Sequence, residues 1–132
     1  MVVEVLIAAS IITVSILAAT MVAQKSIYVS RQAFHTTQAS FLLEEGAENA
    51  RIARDNAWSN VDTLNSSEQI GIFTRTVVAS SVNRDDTTKD IVSSGGTLDN
   101  RTKLITVTVS WSEGNTTISK TLQFYIIDIF HD

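Results

Sequence analysis

The chain has no cysteine, no proline, only five glycines and no excess of positive charge. Without cysteine there is no disulfide, no thiolate metal ligand and no thiol nucleophile. Without proline, and with Gly46 as the first glycine, no residue before that point breaks a helix locally. The net charge of −4 and the pI of about 5.0 give no basic surface that would mark nucleic acid or anionic lipid as the main partner. At 132 residues the chain allows one small domain and a long helix, but not two full domains.

What the chain does have is a long apolar start. From Val5 to Ala23 no residue is charged, and Ser10, Thr13, Ser15 and Thr20 are the polar ones. As a helix this stretch is roughly 28 Å long, close to the ~30 Å hydrocarbon core of a bilayer. The hydroxyls are cheap there because each can bond back to a carbonyl one turn earlier. Glu4 does not fit, since it is an acid at the mouth of an apolar run with no basic neighbour. A cleaved secretory signal needs a basic start and a shorter apolar stretch, so that reading is poor. A plain single-pass anchor fits the length but gives Glu4 only the weak role of complementing the helix dipole.

Val2 to Ser10, V-V-E-V-L-I-A-A-S, resembles the start of mature type IV pilins and pseudopilins. The family pattern is an apolar start, a glutamate, then V-L-[IV]-A. The resemblance implies a basic leader removed by a dedicated prepilin peptidase, a methylated new N-terminus, and polymerisation through the apolar helix. In the family the glutamate lies one position further from the mature N-terminus than Glu4 does here. Either a residue precedes Met1 in the mature form or the cleavage register is unusual. Lys25 and Arg31 follow the apolar run, so charge bias alone would leave the C-terminal part in the cytoplasm. A basic leader would reverse that orientation. The cysteine and proline that many pilins carry are missing here.

Beyond Ala23 the helix is expected to continue, giving an apolar segment 1–23, an amphipathic segment 24–58 and a C-terminal domain 59–132. Ile27, Phe34 and Phe41 recur every seven residues. Ile27 and Phe34 read as contacts to neighbouring subunits, and Phe41 as buried within the chain. A second stripe runs through Leu43, Ala47, Ala50, Ala57 and Val61, with Glu44, Glu45, Glu48, Arg51, Arg54 and Asp55 opposite. A helix reaching residue 57 would span roughly 80 Å, more than a domain of this size can bury. Trp58 is placed at the junction with a sheet, and Ser59 to Gln69 reads as a polar loop. Ile72 to Ser80, Lys103 to Trp111 and Ile118 to Ile126 read as strands. Gly114-Asn115 is the hairpin turn between the last two. Val82 to Asn100 reads as a surface excursion with weak strand potential at Ile91-Val92. Trp111 and Phe124 should face the helix stripe, although Lys120 interrupts the alternation. The fold class is therefore α+β, a long N-terminal helix whose C-terminal half packs on a small antiparallel sheet, which is also the pilin arrangement.

No constellation for catalysis emerges. His35 and His131 lack companions for a metal, Gly95-Gly96 lacks the residues of a phosphate loop, and the Asp85, Asp86, Asp90 and Asp99 group lacks calcium-loop spacing. Asn115-Thr116-Thr117 matches the N-x-[ST] acceptor pattern, a signal that depends on the host. The expected role is structural and not enzymatic, with no cofactor, no metal and no need of nucleic acid. The chain reads as a subunit of a type IV pilus-like surface filament, held in the cytoplasmic membrane before assembly and extracellular afterwards. Its partners would be copies of itself in a helical homopolymer and, by resemblance, the assembly ATPase and platform protein. Glu4 would accept a charge-assisted bond from a neighbour's N-terminal amine. Val5, Leu6, Ile7, Ala8, Ile11, Ile12, Ile16, Leu17, Ile27 and Phe34 would complete the subunit interface, and Ala8, Ala9, Ser10, Ala18, Ala19 and Ala23 would permit close approach. The alternatives are a minor pilin or pseudopilin of a secretion or DNA-uptake system, and a membrane-anchored binding module.

Overall fold

A computed structural model describes residues 1–129. Helix α1 runs Val2–Asn56 and a short α2 runs Trp58–Val61. Five strands follow: β1 Ser66–Ile70, β2 Phe73–Arg84, β3 Ile91–Val92, β4 Thr97–Glu113 and β5 Thr116–Ile127. All are antiparallel, in the order β1-β2-β4-β5, with β3 paired to the far end of β2. The chain packs as two units, Met1–Thr37 and Gln38–Asp132. The architecture is pilin-like: a long N-terminal helix, apolar at its start, with an antiparallel sheet packed on its C-terminal part.

The second unit is built on strand alternation. Ile105, Val107, Val109 and Trp111 of β4 all point inward and are buried, as their period-two pattern predicts. Cross-strand pairing puts Phe73 and Val77 of β2 and Leu122, Phe124 and Ile126 of β5 on the same face. Phe73 meets Trp111 edge-on, with ring centroids 5.6 Å apart. The opposite face is hydroxyl-rich. Thr108 and Thr121 share a hydrogen bond at 3.2 Å, and the Gln123 amide donates to Thr106 Oγ1 at 3.1 Å. Phe124 is only half-buried, its ring under the Arg51 guanidinium at 5.4 Å. Leu122, also on the inner face, stays exposed at 36% because β5 lies at the sheet's edge. Lys120 breaks the alternation with a charge on the inner face of that edge strand, a known defence against pairing with foreign strands.

The helix contributes small residues to this core. Ala39, Leu43, Gly46, Ala47 and Ala50 are its buried positions. A Cβ on Gly46 would lie 2.7 Å from Val107 Cγ1 and 3.3 Å from Arg75 Cδ, so glycine is needed for backbone approach and not for its dihedral freedom. Beside the stretch 82–100, whose ends 82–84 and 97–100 belong to β2 and β4 and not to a surface excursion, three further sequence expectations are corrected here. Phe41 is 66% exposed, not buried. It lies two residues, about 200° of rotation, from Leu43, so both cannot face the sheet. Ala57 also leaves the buried stripe. Helix α1 stops at Asn56 and Ala57 is extended, with φ −169 and ψ 137, so Val61 reaches the core from α2. The third correction concerns Ser59 to Gln69, which is not one loop: it holds most of α2 and most of β1. Trp58 does sit at the junction, where its indole N–H donates to Asn100 O at 3.0 Å.

Two arginines tie the elements together. Arg75, on the inner face of β2, is 5% exposed. It pairs with Glu45 of α1 at 3.1 Å and Glu68 of β1 at 2.8 Å, and donates to the Leu42 carbonyl at 3.4 Å. Arg84 closes an irregularity where the β2–β4 register shifts between Ser81 and Val82. Its guanidinium bonds Asp99 at 2.6 Å, Thr102 Oγ1 at 3.3 Å and Lys89 O at 2.9 Å. The Thr102 hydroxyl and Arg84 hold the Asp99 carboxyl down to about 2 from the ordinary 3.8.

These ties yield two predictions. The carboxylates of Glu45 and Glu68 are more than half exposed whereas Arg75 is buried. Losing Arg75 therefore leaves solvated acids, while losing both acids strands a buried cation. Glu45→Ala with Glu68→Ala should cost about 3–5 kcal/mol in urea denaturation, and Arg75→Met less. The reverse order would show that the pairs do not carry this junction. For Asp99, a depressed folded-state pKa means stability fully present above 3.8 and lost as pH falls through about 2. The melting-temperature gap between wild type and Asp99→Asn should narrow from pH 5 towards pH 2. A gap that stays constant over that range would refute the anchored carboxylate.

Candidate functional site

The first unit, Met1–Thr37, contains every residue of the proposed interface. A helix forms here because apolar residues with good propensity run without a breaker. The hydroxyls behave as expected: Ser10 donates to Ile7 O, Thr13 to Ala9 O, Ser15 to Ile11 O and Thr20 to Ile16 O, each at 2.8 Å. The polar atoms in the run are thus satisfied inside the helix, which suits it to an apolar medium. The helix is long and apolar enough to cross a membrane, and the apolar window is unburied within the chain.

The candidate side chains all stand in the open. Val5, Leu6, Ile7, Ile11, Ile12, Ile16, Leu17, Ile27 and Phe34 are between 55% and 67% exposed. Glu4 and Ala8 are exposed as well. Val2, Val3, Val14, Met21, Val22 and Val29 are exposed to a similar degree, so the set chosen from the sequence is part of a larger surface. Consecutive residues such as Val5, Leu6 and Ile7 point 100° apart, so the apolar surface goes all the way round. One flat partner would leave part of it wet. A sheath of lipid, or several neighbouring helices, covers it fully.

The magnitudes decide whether this matters. Burying a Val, Leu, Ile or Phe side chain contributes about 1.5–3 kcal/mol. Nine half-exposed ones leave on the order of 10 kcal/mol unrealised, comparable to the whole stability of a small domain. A single chain in water cannot leave that unclaimed without associating. Glu4 has no ion-pair partner among the described residues. Near the start of the helix it is favourably placed relative to the dipole.

The other candidate groups among the described residues are committed elsewhere. Among the described residues no three His, Asp or Glu side chains gather as a metal set. Asp85 accepts from the backbone N–H groups of Thr87 and Thr88 at 2.8 Å each, which lowers its pKa, and Asp99 is taken by Arg84. His35 lies beside Phe34 with ring centroids 6.2 Å apart, and His131 falls outside the described residues. The inner-face Arg75 and the close-packed Gly46 escaped the sequence reading. The alternation Phe73, Arg75, Val77 was the signal available for the first. Compared with known proteins, the chain matches no family model, no curated protein and no solved structure.

Proposed function

We propose that this chain is the structural subunit of a type IV pilus-like surface filament and polymerises through its apolar N-terminal helix. The observation that carries the proposal is the pairing of two opposite units. Gln38–Asp132 has a core of its own, and Met1–Thr37 buries none of its large side chains and is apolar on all sides from Val5 to Ala23. A membrane stores such a helix, and a bundle of its copies is the arrangement that retains the apolar environment once the helix leaves lipid. In that bundle Glu4 accepts a charge-assisted bond from a neighbour's N-terminal amine. An unpaired acid costs about 2.5–3.5 kcal/mol at the centre of a membrane helix, so pairing it selects one stagger between subunits. The small residues Ala8, Ala9, Ser10, Ala18, Ala19 and Ala23 let the helices approach.

Two experiments test this reading. Glu4→Ala should leave the protein made and membrane-inserted, while sheared surface filaments, counted by electron microscopy, fall at least tenfold. Filaments at wild-type yield would remove Glu4 from the mechanism. A chain beginning at Gln24 should be soluble, folded and monomeric by circular dichroism and light scattering. If it still builds filaments, the polymerising surface lies in the sheet domain. Wild-type protein found only as a membrane-bound monomer would favour an anchored binding module instead.

A further inference from the structure

Three tripeptides in the chain match the acceptor pattern N-x-[ST]: Asn65-Ser66-Ser67, Asn100-Arg101-Thr102 and Asn115-Thr116-Thr117. The pattern alone does not distinguish them. Transfer of a glycan to asparagine requires the carboxamide nitrogen to reach the donor, and the hydroxyl two residues on to be free for recognition. The fold separates the three on those grounds.

Asn100 is excluded by its surroundings. It lies in the β4 irregularity, its carbonyl accepts from the Trp58 indole, and Thr102 is 1% exposed with its hydroxyl engaged by Arg84. An enzyme would have to unfold the sheet to read that hydroxyl. Asn65 is more open, but its backbone N–H is tied to Thr63 O at 2.8 Å. The Ser67 hydroxyl of that tripeptide accepts from Thr76 at 3.4 Å within the β1–β2 pairing. Asn115 shares the exposure of Asn65 but differs in its hairpin position and in its recognition hydroxyl, which has no side-chain partner among the described residues. It occupies the second position of the two-residue β4–β5 turn, where Gly114 takes the left-handed conformation at φ 61. Asn115, Thr116 and Thr117 are all exposed, and neither the Asn115 carboxamide nor the Thr117 hydroxyl makes a side-chain hydrogen bond among the described residues. Thr117 is the second residue of the edge strand β5, whose outer side carries no neighbouring strand among the described residues.

We propose that Asn115 is a glycosylation site, modified with an oligosaccharide delivered from a polyprenyl pyrophosphate donor by a membrane oligosaccharyltransferase. In the transfer, Asn115 Nδ2 bonds to the anomeric carbon and the bond from that carbon to the phosphate oxygen breaks. The polyprenyl pyrophosphate leaves with the electron pair, and the amide proton passes to a carboxylate of the transferase. The hydroxyl of Thr117 is the recognition element and is not consumed. The site requires the sheet domain to face away from the cytoplasm, and to that extent the inference rests on the surface-filament reading.

The test uses the protein isolated from its own cells. Proteolysis and mass spectrometry should find the Asn115 peptide carrying a glycan mass, lost in both Asn115→Gln and Thr117→Ala and kept in Thr117→Ser. The Asn100 peptide should be unmodified. An Asn115 peptide of bare mass overturns the inference, as does a glycan that survives Asn115→Gln. Labelling of Lys89, which is exposed, and Lys120 on intact cells with a membrane-impermeant amine reagent separates the two readings. Labelled lysines with a bare Asn115 defeat only the glycan site. Unlabelled lysines with a bare Asn115 defeat the outward-facing domain as well.

Discussion

The close approach of helix α1 to strand β4 at Gly46 is the contact on which the sheet domain depends. Any side chain there would enter the space of Val107, and the adjacent alanines keep the rest of that helix surface equally low. Because the helix lies so close, the guanidinium of Arg75 reaches across to Glu45 and the Leu42 carbonyl from the sheet side. Burying that charge is tolerable only because it has acceptors on both sides, one set from the helix and one from β1. The seam thus combines a dry half, from Ile105 to Trp111, with one ionic tie.

The apolar helix and the sheet domain resolve hydrophobicity in different ways. In the domain, alternation along each strand lets one face be buried while the other is stitched by threonine and glutamine side chains. In the N-terminal segment there is no polar face to turn to water, so burial must come from outside the chain. Satisfying the serine and threonine hydroxyls within the helix removes the main penalty for that, and Glu4 stands beside them as an acid with no ion-pair partner among the described residues. A long hydrophobic surface gives affinity without register, whereas one acid among apolar residues gives register at little gain in affinity.

Much of this was legible in the chain. The uninterrupted helix, the α+β class, the three long strands and the turn at Gly114-Asn115 follow from period, propensity and the positions of the first glycine and of the hairpin glycine. The exposure of the apolar start was legible from length, since a helix of roughly 80 Å is more than a domain of this size can bury. Less visible were β1, whose Ser66–Ile70 has the composition of a loop, and the break at Ala57 that returns Val61 to the core by a second helix.

By itself, then, the sequence determined that a long helix opens the chain, that three later segments alternate, and that the first segment is apolar on all sides, because those properties depend on near neighbours along the chain. Tertiary structure alone decided that Phe41 faces water, that Gly46 is a point of contact and that Arg75 is buried between two carboxylates. It also decided that, of the three acceptor tripeptides, Asn115's is the one whose hydroxyl has no side-chain hydrogen bond among the described residues. These depend on contacts between separate elements, such as Gly46 with Val107 and Arg75 with Glu45, and a helix rotation of 200° or a strand register is set by the packing of the whole and not by any local pattern.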